Sequence, residues 1–199
     1  KYHGTFQELE VPSYVIYNGK KYIITEIGSS CFNGNKNLRT VVLPETIEII
    51  ENYAFFGCVK LTKINIPYNV TKIGEGAFSR YSTLGGAPIF TQITLPNTLT
   101  HLGDGAFLGC EGLLEITIPE KVEVIDNYTF SYCLHLGKVT LPAGLKSIGE
   151  YAFAGSGIEN ITIPNGTIEM LAFAQCDNLK NVTFGDGVTK IGNSAFGSC

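Results

Sequence analysis

Apolar and polar positions along this 199-residue chain recur with a period of 23 residues. Residues 113–135, LLEITIPEKVEVIDNYTFSYCLH, follow L-x-x-I-x-I-P-x-x-V-x-x-I-x-x-x-T-F-x-x-C, and the pattern starts again at Leu136. A fixed period of this length marks a solenoid, in which one unit cannot bury its apolar side alone and neighbours share a continuous core. Seven units begin at Leu38, Leu61, Phe90, Leu113, Leu136, Ile158 and Leu179. The front of each unit alternates like a half-buried strand, which predicts a parallel sheet along one face of the stack. Pro44, Pro67, Pro96, Pro119, Pro142 and Pro164 are expected to end these strands, because proline has no N–H for the ladder. The V-x-x-I-G stretch predicts a second short strand. The A-F-x-x-C stretch is too short for a stable helix and predicts a single helical or 3₁₀ turn.

Aligning the units gives columns. Phe32, Phe55, Phe78, Phe107, Phe130, Phe153, Phe173 and Phe196 form one of them and account for eight of the twelve phenylalanines. A small-residue column precedes it, and Ile27, Ile50, Ile73, Leu102, Ile125, Ile148 and Ile191 form another, often followed by glycine. Columns this uniform point inward, and each buried side chain contributes about 1.5–3 kcal/mol. The first ten residues are ambiguous. After them, alternation on both sides of Asn18-Gly19 predicts a hairpin with strands near 13–17 and 20–25, covering the open apolar edge of the first coil. Residues 1–37 thus read as a capping hairpin with a partial repeat, and residues 38–199 as the repeats. An extra segment at residues 84–89 predicts a surface loop, and the units at Leu136 and Ile158 are one and two residues short.

Composition narrows the function classes. A net charge of −4 gives no footprint for nucleic acid. No apolar run reaches the roughly 18 residues of a membrane span. The opening KYHGTFQELE has no charged region followed by an apolar core, so no signal peptide is read there. Cys199 closes a repeat with no polar segment behind it, and the natural chain is expected to continue. Cys58, Cys110, Cys133, Cys176 and Cys199 share a column without C-x₂-C pairs or nearby histidine, so no metal site is read. Strand spacing of about 4.8 Å would put adjacent-coil cysteines within disulfide range, but stacked side chains point in parallel. These five are expected to be buried and reduced. His3, His101 and His135 fall at different repeat positions and form no catalytic order with serine or cysteine. No catalytic residue and no cofactor are assigned, and the carboxylates read as solvated charge.

The columns L-x-x-I-x-I-P, I-G-x-x-A-F and C resemble the BspA-like leucine-rich repeats. FTQITLPNTLTHLGDGAFLGC from Phe90 and LGKVTLPAGLKSIGEYAF from Leu136 carry the resemblance best. It implies a right-handed, curved leucine-rich-repeat solenoid with a parallel sheet on its concave face. It also implies a secreted or cell-surface protein, typically of host-associated bacteria, used in adhesion or host contact, without a shared active site.

Two surfaces are candidates for a protein or glycan ligand, such as a host matrix component. Thr94, Thr117, Thr140 and Thr162, continued by Thr183, form a column expected on the open sheet face. Tyr128 and Tyr151 share a column with Tyr53 and are expected to be neighbours on adjacent coils, where exposed aromatic pairs can meet a sugar or anchor a protein. A passive spacer and a carbohydrate-binding module of a larger surface protein are the alternatives to an adhesion module.

Overall fold

The computed structural model describes residues 7–80 and 90–199, so the loop expected at residues 84–89 lies outside the described residues. The chain winds as a solenoid of stacked parallel strands. Its first coil holds β1 (Glu8–Glu10), the antiparallel hairpin β2 (Tyr14–Tyr17) and β3 (Lys20–Ile23), and β4 (Glu26–Ile27). The next two coils pair a front strand with a back strand, β5 (Thr40–Val42) with β6 (Ile49–Ile50) and β7 (Lys63–Ile64) with β8 (Lys72–Ile73). Then come β9 (His101–Leu102), β10 (Glu115–Thr117), β11 (Val124–Ile125), β12 (Lys138–Thr140) and β13 (Ser147–Ile148). In the last two coils front and back fuse into β14 (Asn160–Ile168) and β15 (Asn181–Ile191). Front strands pair in the order β1-β5-β7 and β10-β12, back strands in the order β4-β6-β8-β9 and β11-β13-β14-β15. Register follows the repeat, with Ile116 opposite Val139 and Thr117 opposite Thr140.

The phenylalanine column is one continuous ladder. Seven successive ring pairs from Phe32 to Phe196 stack with centroids 5.1–5.5 Å apart and planes within 14° of parallel. The longer unit between Phe78 and Phe107 does not interrupt it, since those rings lie 5.3 Å apart. The isoleucine column is buried through Ile168, and Ile191 is exposed.

Four prolines follow a front strand as expected, while Pro96 follows residues 90–95, which form no strand. The amide three residues after each of Pro44, Pro67, Pro96, Pro119 and Pro142 donates back to the proline carbonyl at 3.0–3.2 Å, which makes a tight corner. Pro164 does not end its strand. It lies inside β14, at the register shift between Ile163 and Asn165. The unit is two residues short, so the corner has too little chain to fold and the strand runs on, with proline held at an irregularity. Gly185 replaces the proline in β15 and lets that strand approach, since a Cβ there would come within 2.2 Å of the Pro164 carbonyl oxygen.

The A-F-x-x-C stretch forms a run of turns, and no helix occurs among the described residues. Its amides alternate between two partners. Ala54, Phe56 and Cys58 donate within their own coil, three residues back, while Tyr53, Phe55 and Gly57 donate to Glu75, Ala77 and Ser79 of the next coil at 2.7–2.9 Å. Every second bond that a helix would keep internal thus ties neighbouring coils together.

The hairpin turns at Asn18 and Gly19, with φ of 49° and 73°, as a type I′ turn requires. Its strand residues are all exposed, so it adds little buried apolar area. Lys21 lies 4.1 Å from the centroid of the Tyr14 ring. The front of the first coil is closed by β1, which pairs with β5 and packs Leu9 and Val11 against the core. The clue was Leu9-x-Val11-Pro12, the I-x-I-P of later units, separated from its back strand by the hairpin.

The cysteine column lies inside the turns. Cys58, Cys110, Cys133 and Cys176 are buried, and each thiol donates to a phenylalanine carbonyl of the preceding coil at 3.2–3.4 Å. Cys199 makes the same bond but is exposed, contrary to expectation. All six cysteines are free thiols. Burial pushes the Cys58 and Cys110 thiols up to about 12 and raises Cys133 and Cys176 as well. The thiolate is the reactive form. In native protein at pH 8, a disulfide-exchange reagent should label Cys199 fast and half-buried Cys31 more slowly, with the other four reacting only after denaturation. Labelling of all six before unfolding would contradict this packing.

Candidate functional site

The front sheet presents its threonines outward. In β10 and β12 the central Ile116 and Val139 are buried, while Glu115, Thr117, Lys138 and Thr140 are exposed. Thr94, Thr162 and Thr183 are exposed in the same column. The row beside them pairs with itself. Lys138 meets Glu115 at 3.8 Å, and the Asn181 amide donates to Asn160 Oδ1 at 2.7 Å. At this exposure the ion pair is worth little, about 0–1 kcal/mol. Among the described residues none of the five threonine hydroxyls makes a hydrogen bond within the chain. Two shallow depressions of about 490 Å³ each lie on this face, one holding Thr94 and Thr117, the other Thr140, Thr162 and Thr183.

A second surface runs along the turns. Tyr128 and Tyr151 stack with ring centroids 5.0 Å apart and planes at 5°. Tyr128 is exposed, and Tyr132 shares a depression of about 350 Å³ with Tyr151, so the three rings form one aromatic ridge. Tyr53 lies apart from them. It packs edge-on against Phe56 at 5.9 Å, and its hydroxyl donates to Glu75.

The backbone under these rings was not legible in the sequence. Tyr53, Tyr128 and Tyr151 have φ of 55–57°, and Tyr132 has 55°. A left-handed conformation costs a residue with a Cβ about 1–2 kcal/mol. Gly76 and Gly105 occupy the tyrosine column in the intervening coils with the same φ. Ser30, Leu171 and Ser194 hold the same column with φ of 55°, 58° and 49°, so the left-handed backbone belongs to the turn in every coil.

The two described histidines meet different partners. His101 Nδ1 lies 3.9 Å from Asp126 Oδ2, and His135 Nδ1 lies 2.7 Å from the Glu111 carbonyl oxygen. His3 is outside the described residues. Burial raises the Asp126 carboxyl, His101 opposes that, and Asp104 adds to it. Among the described residues no three His, Cys, Asp or Glu side chains gather as a metal ion would need, and no helix is long and apolar enough to cross a membrane.

A profile of the BspA type leucine-rich repeat region matches residues 4–89 and 85–199, in six copies. The chain belongs to the BspA-type leucine-rich repeat family. Solved structures agree with this. A leucine rich cell surface protein from Faecalibacterium prausnitzii A2-165 is 31% identical, with a TM-score of 0.74 over 92% of this chain and 48% of the other. A leucine-rich repeat protein from T. pallidum is 25% identical, with a TM-score of 0.72 over 96% of this chain and 76% of the other. This BspA-type chain therefore spans about half the length of the Faecalibacterium protein. No curated protein matches it. In BspA-type terms, Thr117, Thr140, Thr162 and Thr183 lie on the strand that opens a repeat, Thr94 holds the same position without a strand, and the tyrosines lie on the turn that closes the repeat.

Proposed function

We propose that this chain is a non-catalytic binding module of a secreted or surface-exposed protein, and that it engages a protein of the host matrix through its front sheet. The observation that carries the reading is the row of five outward threonines whose hydroxyls the chain itself leaves unbonded, over two adjoining depressions. A shallow polar face suits an extended partner surface, where shape and many modest contacts replace one deep pocket. The Faecalibacterium relative, described as a cell surface protein, supports the location. A test is binding of the whole chain to an array of extracellular matrix proteins. The expected result is a saturable hit at micromolar protein. No saturable hit on any matrix protein would reject the reading and leave a spacer.

A further inference from the structure

The tyrosine column is interrupted in the middle of the solenoid. Between Tyr53 and the stacked Tyr128 and Tyr151 the column holds Gly76 and Gly105, with φ of 55° and 56°. The two glycines differ in what surrounds them. A Cβ on Gly76 would come within 2.6 Å of the Tyr53 ring, so this glycine seats that ring. A Cβ on Gly105 would meet nothing nearer than Leu108, at 3.5 Å. One rung of the aromatic ladder is missing there, and the space is a cleft of about 320 Å³.

Tyr53 and Tyr128 wall the cleft, Gly105 and Leu108 lie beneath it, and Glu75 and Asp104 stand exposed beside them. One face of Tyr128 is covered by Tyr151, so the other is the face turned to the cleft. Each carboxylate has one oxygen engaged. Glu75 Oε1 accepts the Tyr53 hydroxyl, and Asp104 Oδ1 accepts the Asn127 amide at 3.0 Å. The second oxygen of each makes no hydrogen bond or ion pair among the described residues. Arg80, almost wholly buried, also lines the cleft.

These features select a ligand class. Ligand pockets run from about 300 to 1,000 Å³, so this one has room for a single ring. Its occupant must be flat enough to take the next rung on Tyr128 and must bring hydroxyls for two carboxylate oxygens. We propose that the cleft binds one pyranose ring, its C–H face stacked on Tyr128 and its hydroxyls donating to Glu75 and Asp104. The site is separate from the front sheet and does not depend on that reading.

The test is ligand-observed NMR titration of the whole chain with the methyl glycosides of glucose, galactose, mannose and N-acetylglucosamine. At least one should bind saturably. Gly105→Tyr supplies the missing rung in a conformation that Tyr128 already adopts two residues after Asp126 in the next coil. It should keep the wild-type circular dichroism and abolish binding. Asp104→Asn keeps an acceptor for the Asn127 amide and should weaken binding about tenfold, as should Tyr128→Ala, which removes the platform. Thr117→Arg on the front sheet should leave pyranoside binding unchanged. The proposal is overturned if no glycoside saturates, if binding survives both Gly105→Tyr and Tyr128→Ala, or if methylguanidinium binds in place of the sugars.

Discussion

Replacing Phe107 with alanine is expected to destabilise the solenoid by about 3–5 kcal/mol. The ring is fully buried and stacks between Phe78 at 5.3 Å and Phe130 at 5.4 Å, with Phe90 edge-on at 6.3 Å. Truncation removes its transfer free energy and opens a cavity that two flanking rings, fixed by their own coils, cannot collapse to fill. The position is also mid-array, where the loss weakens the interfaces on both sides at once. Thr117→Ala is the control and should cost less than about 1 kcal/mol, because its side chain lies on the open sheet face. Urea denaturation of the two variants, followed by circular dichroism, measures both. Equal losses would mean that the assignment of inner and outer faces is wrong.

Gly149→Ala should cost about 1–3 kcal/mol, through overpacking alone. A Cβ there would lie 2.8 Å from the Asn127 backbone nitrogen and 2.9 Å from the Asp126 carbonyl carbon. Its φ is not in the left-handed region, so alanine meets no conformational penalty, only the backbone of the coil beneath. Gly28 holds the same repeat position in the first described coil, and a Cβ there would meet nothing within 4 Å. Gly28→Ala should be neutral or should stabilise by about 0.4–1 kcal/mol, by restricting the unfolded chain. Thermal unfolding of the two variants should move in opposite directions or leave Gly28→Ala unshifted. Equal destabilisation by both would show that the column is kept for its conformation and not for coil spacing.

What the sequence made legible was whatever recurs in every unit. The phenylalanine and isoleucine columns, the two short strands and the outward threonines follow from periodicity, because a side chain repeated at one position meets its own kind on the next coil. The hairpin was legible from Asn18-Gly19 because that turn is encoded locally. Features set by contact between coils were hidden. Glycine after isoleucine was visible as a habit, but the backbone passing beneath Gly149 was not. Pro164 read as a strand end because the other prolines turn the chain at a corner, and only the missing corner of a shortened unit carries β14 through it. The A-F-x-x-C stretch has the length of a helical turn, yet half its amides bond to the neighbouring coil, a partner that no single unit reveals.

The site was legible to the same degree. Tyr128 and Tyr151 were placed together by their shared column, and the stack confirms the contact. Their left-handed backbone was hidden, as was the open rung at Gly105, because φ is not encoded by a tyrosine. The unbonded threonine hydroxyls likewise depend on their neighbours, since Glu115 with Lys138 and Asn160 with Asn181 pair across coils and leave the threonines out.

The most direct test of the front-sheet account is the affinity of a matrix protein, taken from the array, for three forms of the chain. These are the wild type, Thr117→Arg/Thr140→Arg and Tyr128→Ala/Tyr151→Ala, each titrated calorimetrically after its unfolding curve has been matched to wild type. Binding should fall by about tenfold or more in the arginine pair, which crowds the centre of the face, and should hold in the alanine pair. Unchanged affinity in the arginine pair, with loss in the alanine pair, would contradict the account and move the partner to the tyrosine ridge.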